Sequence, residues 1–159
     1  MKGEKMRKIL LLLMVVVLFS GCVRTENFEA KAPGFIYEDL KGEKWSLEEL
    51  KGDVVVLYFW TSSCGVCIRK LPDMPALQEK LPGNVHLLML NPYDSKERIK
   101  GLIGDAELTV LVDTMVSFND YNVAYVPTTV FISKKGEIAH TQVGLMANEQ
   151  ILEIIEGLR

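Results

Sequence analysis

The pair Cys64-Gly65-Val66-Cys67 constrains this chain more than any other feature, because of what flanks it. An uninterrupted apolar run, Val54–Trp60, precedes it by three polar residues, and a stretch of helical pattern begins at it. Such a run marks a central strand buried on both faces. A cysteine at a helix start meets unsatisfied backbone N–H groups and the positive end of the helix dipole, both of which favour thiolate. A second cysteine three residues on lies on the same helix face, close enough to close a disulfide across one turn. The pattern reads as a redox dithiol in which Cys64 is activated and Cys67 resolves what Cys64 attacks. Chance spacing and half of a zinc site are the alternatives. A structural zinc takes four ligands, usually from paired knuckles, and the chain otherwise offers only Cys22 and two isolated histidines, His86 and His140.

The chain is long enough for one domain, and a 48% hydrophobic content supplies an ordinary core. Residues 1–21 are read as a signal peptide outside that core. Lys2, Lys5, Arg7 and Lys8 form a positive start, Ile9–Phe19 is wholly apolar, and Ser20-Gly21 puts small residues before Cys22. That run is too short for a comfortable membrane span. The ending Leu18-Phe19-Ser20-Gly21-Cys22 resembles a bacterial lipobox, in which the cysteine is lipidated and becomes the new N-terminus. Phe19 departs from the usual leucine, and ordinary cleavage or an uncleaved anchor is the alternative. Either way the expected location is extracytoplasmic and at the membrane, where disulfides persist.

Four of the 18 basic residues and one of the 21 acidic residues fall in the first 21 positions, so the remainder carries a net charge of −6. That balance argues against nucleic acid as a partner and against adhesion to anionic lipid. Membrane contact then rests on Cys22. Residues 22–31 are polar and aperiodic, a tether that reaches about 35 Å when extended. Residues 32–159 are expected to fold.

Within them the pattern predicts a hairpin over Phe35–Asp39 and Glu43–Ser46, and a short helical turn opened by Ser46 and ending near Gly52. A helix over Gly65–Leu81 is expected to kink at Pro72 and Pro75. Strands follow at Val85–Leu90 and Leu108–Val112, with helices over Ser95–Leu102 and Val116–Tyr121. A hairpin, Thr128–Ser133 and Glu137–Val143, turns at Lys134-Lys135-Gly136, and Ala147–Leu158 is an amphipathic last helix. The order implies an α/β fold: a central mixed sheet with helices on both faces and an N-terminal β-hairpin extension.

Phe59-Trp60-Thr61-Ser62-Ser63-Cys64-Gly65-Val66-Cys67, taken with Tyr125-Val126-Pro127-Thr128-Thr129-Val130-Phe131-Ile132, resembles thioredoxin-like proteins. More narrowly, the chain resembles the membrane-tethered TlpA/ResA-like thiol-disulfide oxidoreductases of bacteria, from about Ala32 to the C-terminus. The resemblance implies a thioredoxin-like fold, Cys64 as exposed nucleophile, Cys67 as buried resolving thiol, and a cis Val126–Pro127 bond facing the disulfide. It implies substrate contact at Trp60, Val126 and Pro127, although Trp60 reads equally well as a core aromatic. The substrates it implies are disulfides of exported proteins, apocytochrome c among them, with a membrane dithiol as electron donor. The redox-active disulfide would act without a cofactor or metal.

Three departures stand out. Many thioredoxins carry a carboxylate in the strand before the dithiol, and Val54-Val55-Val56-Leu57-Tyr58-Phe59 has none. Asp94 or Glu97 sits near the place where some relatives put a proton-relaying glutamate, yet both read better as caps of the following helix. Gly65-Val66 contains neither proline nor histidine, and Arg69 and Lys70 read as solvated unless they lean back over the dithiol. Two other functions stay open. Thr61-Ser62-Ser63-Cys64 matches the T-x-x-C of thiol peroxidase-like enzymes, without their upstream proline. A copper carrier would use Cys64, Cys67 and His140, without the usual spacing.

Overall fold

The computed structural model describes residues 30–159. The signal segment, Cys22 and nearly all of the tether lie outside those residues. The sheet has five strands in the order β5-β4-β3-β6-β7. They are β3 (Val54–Phe59), β4 (Val85–Leu90), β5 (Thr109–Leu111), β6 (Thr128–Ile132) and β7 (Ile138–Val143). β3, β4 and β5 run parallel, while β6 is antiparallel to β3 and β7 to β6. A separate hairpin pairs β1 (Ile36–Glu38) with β2 (Lys44–Ser46).

Every residue of β3 is buried, as its apolar run requires of a central strand. Its alternating side chains build two cores. Val54, Val56, Tyr58 and Trp60 face Cys67, Leu71, Met74, Leu77, Ile99, Ile151 and Ile155, which come from the helices on that side. Val55, Leu57 and Phe59 face Phe35 and Leu47 around the hairpin, and Phe118 and Tyr121 on the other side. The helices are α1 (Gly65–Lys70), α2 (Met74–Gln78), α3 (Lys96–Ile103), α4 (Met115–Asp120) and α5 (Asn148–Leu158).

The expected helix over Gly65–Leu81 is divided rather than merely kinked. Pro72 falls in a 3₁₀ turn, Leu71–Asp73, and Pro75 in the first turn of α2. Proline lacks the N–H that a helix interior uses and is tolerated where that donor is free anyway. The segment from Ser46 to Gly52 is a succession of turns and no helix. Its bonds span three residues, Glu49 N–H to Ser46, Leu50 to Leu47 and Lys51 to Glu48, and Gly52 closes it at φ 96°.

Candidate active site

Strand register decides where the chemistry sits. Phe59 at the end of β3 pairs with Leu90 at the end of β4 and with Thr128 at the start of β6. The segments just beyond these residues therefore meet at one edge of the sheet: Trp60–Cys64, Asn91–Asp94 and Val126-Pro127. This is the carboxyl end of the parallel strands, where α/β sheets commonly hold their ligands.

Cys64 is the N-cap residue of α1, in extended conformation, and Cys67 lies one turn in. The two form a disulfide with Cα atoms 5.2 Å apart. The Cys67 N–H donates to Cys64 Sγ over 3.1 Å, so the sulfur takes the place that a capping oxygen ordinarily fills. Cys64 is half-buried, whereas Cys67 is sealed in the core. Val126–Pro127 is a cis peptide, and the Val126 carbonyl oxygen lies 3.5 Å from Cys64 Sγ. Pro127 is buried beside it, with its carbonyl accepting the Gly144 N–H at 2.7 Å.

Asp94 is not the cap that its position suggests. Ser95 caps α3, its Oγ accepting the Arg98 N–H at 3.2 Å, and Glu97 stands exposed in the first turn. The Asp94 carboxylate instead reaches across to the loop that carries Cys64. It accepts the Ser62 N–H at 2.7 Å, the Ser62 hydroxyl at 2.6 Å and Asn91 Nδ2 at 2.8 Å. Arg98 Nε donates to Ser62 Oγ at 2.6 Å and stands 3.7 Å from the carboxylate. Burial pushes the Asp94 carboxyl up, but the bonds from Ser62 and Asn91 and the Arg98 charge outweigh it and hold the group below its ordinary value. Its neighbours in sequence do not reveal this clasp, because Ser62 is 32 residues away.

Lys70 corrects another expectation. It is 4% exposed rather than solvated, and its ammonium donates to Asn148 Oδ1 at 2.7 Å at the start of α5. Arg69 is exposed but leans back, with Nη1 3.8 Å from where a β-carbon on Gly65 would stand. Trp60 is wholly buried and fills the core beneath the loop. The Thr61 hydroxyl is shared with Ser63 Oγ at 3.0 Å. His140 packs on Phe131, and His86 Nε2 lies 2.8 Å from Asp53 Oδ2 at the far end of the sheet. Among the described residues no three metal-ligating side chains converge.

Residues 28–141 match the AhpC/TSA family model. The chain belongs to the AhpC/TSA family. Relatives of the chain are named thiol-disulfide oxidoreductases. The ResA thiol-disulfide oxidoreductase of Geobacillus kaustophilus is 33% identical, covering 80% of this chain and 76% of that one. The sporulation thiol-disulfide oxidoreductase A of Bacillus subtilis is 28% identical over 92% and 93%. Among solved structures, the exposed lipoprotein thioredoxin of Streptococcus pneumoniae is 29% identical with a TM-score of 0.72, covering 79% of this chain and all of that one. With Cys64 and Cys67 joined at the head of α1, this AhpC/TSA member is a thioredoxin-like thiol-disulfide oxidoreductase.

Proposed function

We propose that the protein is an extracytoplasmic reductase of disulfides in exported proteins, tied to the membrane by lipid on Cys22 and recharged by a membrane dithiol. The observation that carries this reading is the asymmetry of the pair: Cys64 half-open at a helix N-terminus, Cys67 sealed behind it. The Cys64 thiolate attacks a substrate disulfide, forming a Cys64–substrate bond and releasing one substrate thiolate. The Cys67 thiolate then attacks Cys64, the second substrate sulfur leaves, and the Cys64–Cys67 disulfide closes. Two electrons pass to the substrate, which takes up two protons. The donor dithiol reverses the sequence. The Val126 carbonyl beside the sulfur supports an extended substrate segment pairing there, next to Pro127. Trp60 supports the loop from beneath.

The peroxide and copper readings draw less support. The Thr61 hydroxyl is already engaged by Ser63, and His140 stands opposite Phe131 in the strand register, where Phe131 is four residues along the chain from Pro127. The test is trapping. Cys67→Ser is expected to accumulate a mixed disulfide through Cys64 with a protein substrate, seen on non-reducing gels, and Cys64→Ser to accumulate none. Cys64 is also expected to be alkylated well below the pH of about 8.5 at which a free thiol is half ionised. Equal trapping by the two variants would overturn the division of roles.

A further inference from the structure

We infer that Arg69 and Arg98 make the protein select substrate disulfides with acidic residues beside their cysteines. The inference rests on Cys64 being the thiol that attacks substrate, and it starts from where an acidic domain places its cations. Beyond Lys100 the chain has no lysine or arginine except Lys134, Lys135 and Arg159. Lys134 and Lys135 lie in the turn between β6 and β7, at the end of the sheet away from Cys64, and Arg159 is the last residue. At the reactive edge, β6, β7 and the segments that adjoin them therefore carry no lysine or arginine. Lys70, which reaches Asn148 from α1, is buried. The large exposed side chains there are apolar: Tyr125 beside Val126, and Val143 and Leu145 on either side of Gly144, whose N–H meets the Pro127 carbonyl.

The loop that carries Cys64 has a different character. Two exposed arginines bend toward it. Arg69 Nη1 stands 3.8 Å from the place of a β-carbon on Gly65, the residue after Cys64. Bond lengths alone then hold that nitrogen within about 12 Å of the Cys64 sulfur. Arg98 comes from α3 on the β4 side, and its Nε donates at 2.6 Å to the hydroxyl of Ser62, two residues before Cys64. One guanidinium thus stands against each flank of the nucleophile. An extended peptide advances about 3.3 Å per residue, so side chains a few positions from a substrate cysteine come within reach of both.

Both charges are open to a ligand. Among the described residues Arg69 enters no ion pair. It leans toward the start of α1, while Asp73 lies beyond the far end of that helix and meets Lys70 at 3.4 Å. Arg98 gives Nε to Ser62, and its side chain is 59% exposed. The Asp94 carboxylate is 3.7 Å from it and takes its short bonds from Ser62 and Asn91 instead. Glu97 adjoins Arg98 in sequence, but residues one step apart on a helix do not face each other. Asp113 follows β5, two strands from β3. A guanidinium presents its donors as a planar fork that matches a carboxylate. The folded part carries a net −6, so the two arginines act locally and against the long-range field.

The experiment follows reduction of short peptides, each looped by one internal disulfide, by the reduced full-length protein in uncharged detergent. Three peptides differ only in the residues flanking the cysteines: glutamate, glutamine or lysine. An arginine near Cys64 also favours its thiolate toward every substrate, so the readout is a ratio of rates, glutamate-flanked over glutamine-flanked. The wild-type ratio is expected to be about fivefold at low salt and to fall toward one as salt screens the charges. Arg69→Gln and Arg98→Gln are each expected to lower it by about half. Lys135→Gln makes the same change in net charge at the far end of the sheet and is expected to leave the ratio alone. Arg69→Glu is expected to raise the lysine-flanked peptide relative to the glutamine-flanked one. A wild-type ratio near one, arginine variants that slow all three peptides equally, or a ratio that Lys135→Gln lowers as much would overturn the inference while the reductase reading stands. If wild-type protein reduces none of the peptides, or Cys64→Ser reduces them as fast, that reading falls and the inference falls with it.

Discussion

At the scale of single residues, the site depends on a carboxylate that never touches sulfur. Asp94 fixes Ser62, two residues before Cys64, through the backbone N–H and the hydroxyl. Because its folded carboxyl lies below the ordinary value of 3.8, its contribution is present in full above that range and is lost as the pH falls through the folded value. Asp94→Asn keeps the shape but loses the charge that strengthens these bonds. The variant is expected to be less stable by about 1–2 kcal/mol at pH 7, the difference closing as the pH drops to about 2. Urea unfolding at both pH values measures this, and a constant gap would deny the carboxylate its role. The two cysteines were legible in sequence because they lie three residues apart and follow a strand signal. Asp94 was legible only as a residue of interest. Its partner is brought close by the pairing of β3 with β4, and no local pattern encodes that pairing.

Among the elements, periodicity served well where burial is two-sided. Val85–Leu90 has in the structure the bounds that its apolar pattern predicts. It served less well where short-range chemistry competes, as at Ser46–Gly52, whose capping-box spacing closes turns instead of a helix. Helix α1 has only six residues and could not stand by itself in water. Its hold on the fold comes from Cys67, from Leu71 just beyond it, and from Lys70, whose charged head made it look solvated although its stem is covered. The Lys70 ammonium meets an amide at 2.7 Å and a carboxylate only at 3.4 Å on an exposed side chain, a weak setting for a buried charge. Packing of the stem should therefore matter more than the charge. Lys70→Ala is expected to cost about 2 kcal/mol, and Lys70→Met to recover most of it, in urea unfolding of the oxidised protein. Methionine performing no better than alanine would show that the bond to Asn148 holds α1 to α5.

For the molecule as a whole, the question is whether lipid on Cys22 ties it to a membrane, as proposed. No helix among the described residues is long and apolar enough to cross one. Beyond residue 21 the side chains carry a net −6, which opposes adsorption to anionic lipid. Attachment through the domain surface is thus disfavoured, and the proposed attachment rests on Cys22, nine positions before Lys31. A single acyl chain gives only marginal binding, so stable anchoring requires more than one chain at that cysteine. Cys22→Ala in the full chain is expected to move the protein from the detergent phase to the aqueous phase on phase separation, and to abolish labelling by radioactive fatty acid. Reduction of a small disulfide by the dithiol should be unchanged, because Cys64 and Cys67 lie in the folded region that the tether only precedes. Precursor size on the same gel separates loss of lipid from retention of residues 1–21, since an uncleaved apolar run would itself hold the protein in detergent. Detergent partition and fatty-acid labelling that persist in Cys22→Ala would show that the attachment lies elsewhere in the chain.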